Sequence, residues 1–306
     1  MKRGVKWVLT VFGVILVIGL LRSLVFASCY IPASGMENNL KQGDCIIVNR
    51  WSYGLRIPFS KSRIFSQTAN KGDILLFNNP VDTSTDKIYQ KELYISRCIG
   101  LPGDTLLVDS LFLSHESSSF FNPDQRSLYS IYREHEPLID SIFLSLKIQR
   151  QENVGEDDGK IIKSLSAYEY YLLEQKLGTD TIIYPLENKS QNLHPLFIPK
   201  KDVLIKIEPW NRILLFNTIL LHEKQNIIMK ENQLYINGQI IQEYQFTQDY
   251  YWMSSNNSLN LSDSRQFGFV PHSHLIGKAS FIWFSKDPNH SLFSGYRWNR
   301  IFKSIY

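Results

Sequence analysis

Few side chains in this sequence combine the type and spacing that covalent or metal chemistry needs. A serine nucleophile requires a base within reach of its proton. The hydroxyl that draws notice is Ser34, inside residues 31–40 (IPASGMENNL). His272 and His274 form an H-x-H. In a strand both rings would face one side, as two metal ligands do. No third ligand stands at a matching spacing, so surface or structural histidines are the simpler reading. Cys29, Cys45 and Cys98 give neither a disulfide framework nor a CxxC pair, and leave one bridge open. No phosphate-binding glycine loop, HExxH or GxSxG occurs. No metal or cofactor is therefore expected.

The elements that must position these residues begin with an apolar run. Residues 8–27 are apolar apart from Thr10, Arg22 and Ser23, about the 20 residues a helix needs to cross the ~30 Å hydrocarbon core. Lys2, Arg3 and Lys6 flank its start. By the positive-inside rule they place the amino terminus in the cytoplasm and the remainder beyond the membrane. Arg22 can extend its guanidinium to the outer interface. A cleaved signal peptide is the alternative, since Ala27-Ser28-Cys29 has some likeness to a lipoprotein cleavage site. Phe26 is bulky for such a site and Arg22 interrupts the apolar region. Residues 8–29 therefore read as a retained anchor after a cytoplasmic segment, residues 1–7.

Composition narrows the class. Apolar residues at 43% and charged residues at 20% exclude a disordered chain. The net charge of +4 over 306 residues contains no basic block suited to a phosphate backbone, which excludes nucleic acid as a partner. Gly43-Asp44 reads as a turn before a strand at 45–48 (CIIV). Gly72-Asp73 does the same before 74–77 (ILLF), which Pro80 closes. Pro102 and Gly103 set a further turn at 100–104, Pro by fixing φ and Gly by permitting φ > 0. Residues 105–225 begin polar and Ser-rich (114–119) and include an acidic loop at 155–159 (GEDDG). One helix is legible there. Ser166 with Glu169 forms a capping box, Tyr170, Leu173 and Leu177 share a face, and Gly178 closes it. Residues 234–241 read as a hairpin around Asn237-Gly238. The aromatics at 250–252 and 281–284 read as core and membrane-interface packing.

Three stretches, in order, resemble the type I signal peptidases, membrane-bound enzymes that use a serine and a lysine. They are IPASGMENNL before Gly43-Asp44, residues 94–104 (YISRCIGLPGD), and residues 250–279. In the second, Arg97, Gly100, Pro102, Gly103 and Asp104 match. In the third, Asp263-Ser264-Arg265, residues 268–271 (GFVP) and residues 277–279 (GKA) match. The insert and the closing RWNRIF (297–302) resemble a long-insert bacterial subgroup. The resemblance implies a mainly β protein. An N-terminal transmembrane helix would precede a signal-peptidase-like antiparallel β core (30–104 and 226–306) carrying an inserted β-rich cap (105–225). It also implies an apolar face that dips toward the outer leaflet.

Site roles follow by the same resemblance. The nucleophile position falls on Gly35, the base on Ser96, the oxyanion serine on Ala33 and the lysine-orienting serine on Leu261. The usual Gly-Asp-Asn-Arg reads Ser255-Asn256-Asn257-Ser258. Asp263 and Arg265 keep the structural pair, and Ile31, Pro32 and Met36 keep the substrate groove. Activity could survive only through a displaced pair, Ser34 with Lys91 or another lysine. If the loop is extended, Ser34 points away from the face of residue 35. Lys91 stands five positions before Ser96, ~17 Å along a strand and of opposite parity.

The expectation is a catalytically silent, signal-peptidase-like protein of the bacterial inner membrane with a periplasmic domain. It would bind an extended peptide or a protein partner by strand addition, an active signal peptidase or secretion component being one such partner. The alternatives are an active peptidase with relocated residues, and a structural subunit of an envelope assembly bound through the insert.

Overall fold

The computed structural model describes residues 3–56, 63–109, 112, 122–146, 148, 153–178, 182–186, 192–257, 262–291 and 293–305. The Ser-rich stretch at 114–119 and Leu261 lie outside them.

The chain opens with helix α1 (Arg3–Leu24), 22 residues and so about 33 Å long. Its described side chains, Gly4 and residues 6–19, are all exposed. Trp7, Phe12 and Ile15 are 73%, 64% and 62% accessible. Among the described residues no helix is long and apolar enough to cross a membrane, so the crossing expected over 8–29 is not carried by them. Its last residues need a further correction. The helix stops at Leu24, and Phe26–Tyr30 is a strand that alternates exposed and half-buried side chains. Ala27 and Cys29 turn inward to the core while Phe26 and Tyr30 stay out, the period of a half-buried strand and not of a helix.

An eight-stranded antiparallel sheet follows. Its order is Phe26–Tyr30, Asp44–Asn49, Leu275–Ser285, Ile74–Asn78, Leu93–Gly100, Tyr250–Ser254, Val270–Pro271, with Lys303–Ser304 paired to Leu275–Ser285. Ile74–Asn78 is buried along its whole length because both faces are covered. Ile74 and Leu76 face one cluster with Ile31, Met36, Leu40 and Ile46. Leu75 and Phe77 face another with Tyr53, Cys98, Tyr251 and Phe267. Such a continuous apolar run is the signature of a strand buried on two sides.

Beyond Gly100 the chain builds a second core. Thr105–Val108 pairs with His194–Phe197, and Leu204–Lys206 with Glu243–Gln245. Both pack with a three-stranded meander (227–241) around Trp252, Tyr250 and Phe269. A third core belongs to residues 126–185. A four-stranded antiparallel sheet, ordered Ile183–Pro185, Arg126–Tyr132, Lys160–Ser166 and Asn153–Asp157, packs on α2 (Glu136–Ser145) and α3 (Ala167–Leu177). The expected acidic loop is the hairpin of this sheet, turning at Asp158 and Gly159 with φ of +43° and +73°. The helix starting after Ser166 has both capping-box bonds and ends at Gly178, φ +66°. The rest of the insert is more helical than a β-rich cap implies, since α2 and a further helix, α4 (Arg212–His222), also fall within residues 105–225.

Candidate functional site

The loop at residues 31–40 joins the first two strands of the large sheet, and three apolar anchors fix it. Ile31, Met36 and Leu40 are at most 2% exposed and belong to the core beneath the sheet. Ile31 and Met36, expected in a substrate groove, therefore face inward, and of that trio only Pro32 lies on the surface. Ile31 N donates to Asp44 O and Gly43 N to Ile31 O, both at 2.9 Å, closing the loop's neck. Between them the chain is not extended. Glu37 N donates to Ser34 O at 3.0 Å and Leu40 N to Met36 O at 2.8 Å, so residues 34–40 coil through consecutive turns. The parity argument against Ser34 rested on a strand and does not apply here. Asn38 takes φ +79°, a left-handed conformation that asparagine tolerates better than most residues.

A buried ion pair grips the loop from behind. Asp44 is fully buried and takes the Arg300 guanidinium at 2.6 Å, the Ser285 hydroxyl at 2.6 Å and the Lys41 amide at 2.8 Å. Arg300 also donates to Asn39 O at 2.9 Å, and Arg297 to Gln42 O at 2.9 Å. The carboxyl-terminal RWNRIF thus braces the loop's far end. Sequence reasoning took Asp44 only as a turn residue.

At the position of the expected nucleophile, Gly35 is buried and its carbonyl accepts the backbone N–H groups of Asn256 and Asn257, at 2.9 and 3.1 Å. At the position of the expected base, Ser96 is fully buried opposite Leu75, and its hydroxyl donates to Ser262 O at 2.5 Å. Ala33, at the oxyanion position, is exposed. Ser34 is half-buried, its Oγ 3.4 Å from Asn257 Nδ2. Lys91 is not beside it. Its amine donates to Asp82 O at 2.5 Å, and its charge is felt by His222. Lys41 follows the loop directly in the chain. Burial, then the charges of Arg300 and Arg297, pull its amine below the usual lysine range against the opposing Glu37 and Asp44.

Asn256 organises the centre. It is fully buried, and besides its amide bond to Gly35 it donates from Nδ2 to Glu37 O at 3.0 Å and to Asn39 Oδ1 at 2.7 Å. Its Oδ1 accepts Asn122 Nδ2 at 2.9 Å, and its carbonyl accepts Arg126 N at 2.7 Å. Asn39 Oδ1 also accepts from Arg97, whose buried guanidinium lies 3.9 Å from Asp124. Asp263 and Arg265 sit next to this node. Asp263 is fully buried, 2.6 Å from the Arg265 guanidinium, and accepts both N and Oγ of Ser255 at 2.7 and 2.8 Å.

The remaining candidates lie elsewhere. Residues 272–274 form a single 3-10 turn, so the two histidines do not share a strand face. His272 bonds Tyr251 OH and Ser66 Oγ, both at 3.0 Å, and His274 is buried against His222. No group of three metal-ligating side chains occurs among the described residues. Cys29 pairs across the sheet with Ile46, and Cys45 with Tyr30, which puts the two cysteines on opposite faces. All three thiols are free.

The fold and site define a mainly antiparallel β protein with a coiled loop held between its large sheet and the segment at Asn122 and Arg126. The family described as "Signal peptidase, peptidase S26" matches residues 4–117 and 241–284, half of the chain, and the chain belongs to that family. It is similar to the signal peptidase I of Buchnera aphidicola subsp. Acyrthosiphon pisum, with 29% identity over 95% of this chain and 78% of the relative. It is also similar to those of Rickettsia typhi, with 25% identity over 93% and 82%, and Haemophilus influenzae, with 22% over 97% and 74%.

Proposed function

We propose that this chain is a membrane-anchored, catalytically silent member of the signal peptidase family that binds an extended peptide or protein partner. One observation carries the proposal. Gly35 and Ser96, at the family's nucleophile and base positions, are both engaged by backbone groups of the 256–262 segment. A glycine has no hydroxyl to attack with, and a serine donating to a carbonyl has no amine to take a proton. Loss of a serine peptidase's nucleophile or base lowers kcat on the order of 10⁶. Strand addition would use Leu93–Ile95, which pairs with Leu76–Asn78 on one side, while on the other the ladder with Tyr250–Ser254 runs from Gly100 to Arg97 and, among the described residues, no further. The anchor is supported by the exposed apolar side chains of α1, and the subgroup by the insert and the Arg300 brace.

An active reading has one observation in its favour: Ser34 lies in a turn, half-buried, with Lys41 on the same loop. Cleavage of a preprotein by the purified chain in liposomes separates the two. The expected result is no cleavage above the blank. Cleavage by the parent protein that Ser34→Ala abolishes would overturn the proposal. A gain of cleavage in the Gly35→Ser, Ser96→Lys double variant would show that the groove still seats substrate.

A further inference from the structure

We infer that the inserted region positions the loop at residues 31–40, with Asn122 and Arg126 as the positioning residues. The inference concerns the loop's conformation and holds whether or not the chain cleaves peptides.

The connection is continuous and buried. Asn122 and Arg126, 7% and 3% exposed, stand at the start of the insert's sheet. Asn122 reaches Asn256 Oδ1, and the Arg126 amide reaches Asn256 O. Asn256 in turn holds the loop through three acceptors, the carbonyls of Gly35 and Glu37 and the Asn39 side chain. The Arg126 guanidinium makes a second, direct link to Asn38 Oδ1 at 3.3 Å, the one left-handed residue of the loop. The same guanidinium also bonds Ser164 Oγ at 3.2 Å and Ser164 O, and lies 3.3 Å from Glu169, the residue that also closes the α3 capping box. The first turn of α3 and the loop are therefore joined through one guanidinium. A buried donor left without its acceptor is costly, so the two ends should be coupled.

Residue-resolved hydrogen exchange on the full chain in detergent tests this. Asn122→Asp keeps the size and the acceptor for Asp124 N, and replaces the donor to Asn256 Oδ1 with a carboxylate oxygen that repels it. Amides of residues 36–40 should then exchange about five- to tenfold faster, while the Arg126–Tyr132 and Lys160–Ser166 strands hold their protection. Asn38→Gly reads the coupling in reverse. It keeps the left-handed backbone and removes the acceptor of Arg126, and amides of residues 167–169 should exchange faster by a similar factor. Should Asn122→Asp loosen the insert as well, Asn38→Gly alone decides. Unchanged exchange at 36–40 in the first variant with an intact insert, or at 167–169 in the second, overturns the inference.

Discussion

Single residues show how buried polar groups hold the loop at residues 31–40 in shape. The buried Gly35 carbonyl accepts two backbone N–H groups, and the buried Ser96 hydroxyl donates to a backbone carbonyl. Buried polar groups must be paired, so the scaffold around the loop has to satisfy its donors and acceptors. Asn256 and Asn257 do so here. The same requirement acts on His222 at the end of α4. Its ring packs on His274 at 5.2 Å and on Tyr250 at 6.2 Å, with Lys91 and Glu223 adjoining. Burial, and next the Lys91 charge, push its imidazole down to about 4 from the ordinary 6.5. Between those values the unfolded chain binds the additional proton, so stability is whole above about pH 6.5 and falls as pH drops toward 4. The loss is at most about 3 kcal/mol for a shift of this size. Thermal unfolding followed from neutral pH downward should show Tm falling through that window, and His222→Gln should flatten the fall. An equally steep profile in the variant would assign the sensitivity to other groups.

Elements were legible where a local rule decides them. The strand at 74–78 and the helix from Ala167 to Gly178 follow from an apolar run and a capping box, and both formed on the residues that signalled them. The α4 sequence RILLFNTILLH carries no such rule. An apolar run of that kind suits a strand or a buried helix, and only the spacing of Leu215, Thr218 and Ile219 against the second core decides. The turns of the loop at 31–40 carry no local signal because they are stabilised from a distance, by Asn256 and Arg300, more than 200 residues on. No local pattern encodes such partners. Asp44 and Arg300 were equally silent, since a Gly-Asp pair reads as a turn whether or not its carboxylate is buried. Gly277 shows how tightly the strands under the loop are set. A Cβ there would collide with the Asn49 carbonyl oxygen, at the crossing of Leu275–Ser285 with Asp44–Asn49. Gly277→Ala must therefore separate the two strands and is expected to cost about 3 kcal/mol, read as a lower urea midpoint. A midpoint within error of the parent would mean that the strands slide apart freely, and that their register does not hold the loop.

The whole molecule presents one face that water alone does not explain. Strand Phe26–Tyr30 continues from α1, and Phe26 and Tyr30 are 46% and 51% exposed on its outer side. Trp283 lies next to them, its indole donating to Ser28 Oγ at 3.0 Å. From Trp283 a chain of ring contacts runs through Phe284 and Tyr296 to Trp298, while Phe281 meets Phe302 on the same strand system. Trp298 and Phe302 are three-quarters exposed. Tryptophan and tyrosine with a wet polar end and a buried ring are the side chains of a membrane–water interface. Under the membrane-anchored function proposed above, a lipid surface is the occupant that this face would meet, and α1 and the aromatic face would contribute separately. A chain lacking residues 1–24 should still co-sediment with liposomes, more weakly than the full chain. Replacing Trp298 and Phe302 with serine in that truncated chain should abolish the remainder, since each buried aromatic contributes about 2 kcal/mol of transfer. Binding that persists through both changes would mean that lipid is held elsewhere. No binding by the truncated parent would mean that α1 alone carries the attachment, leaving the aromatic face for a protein partner.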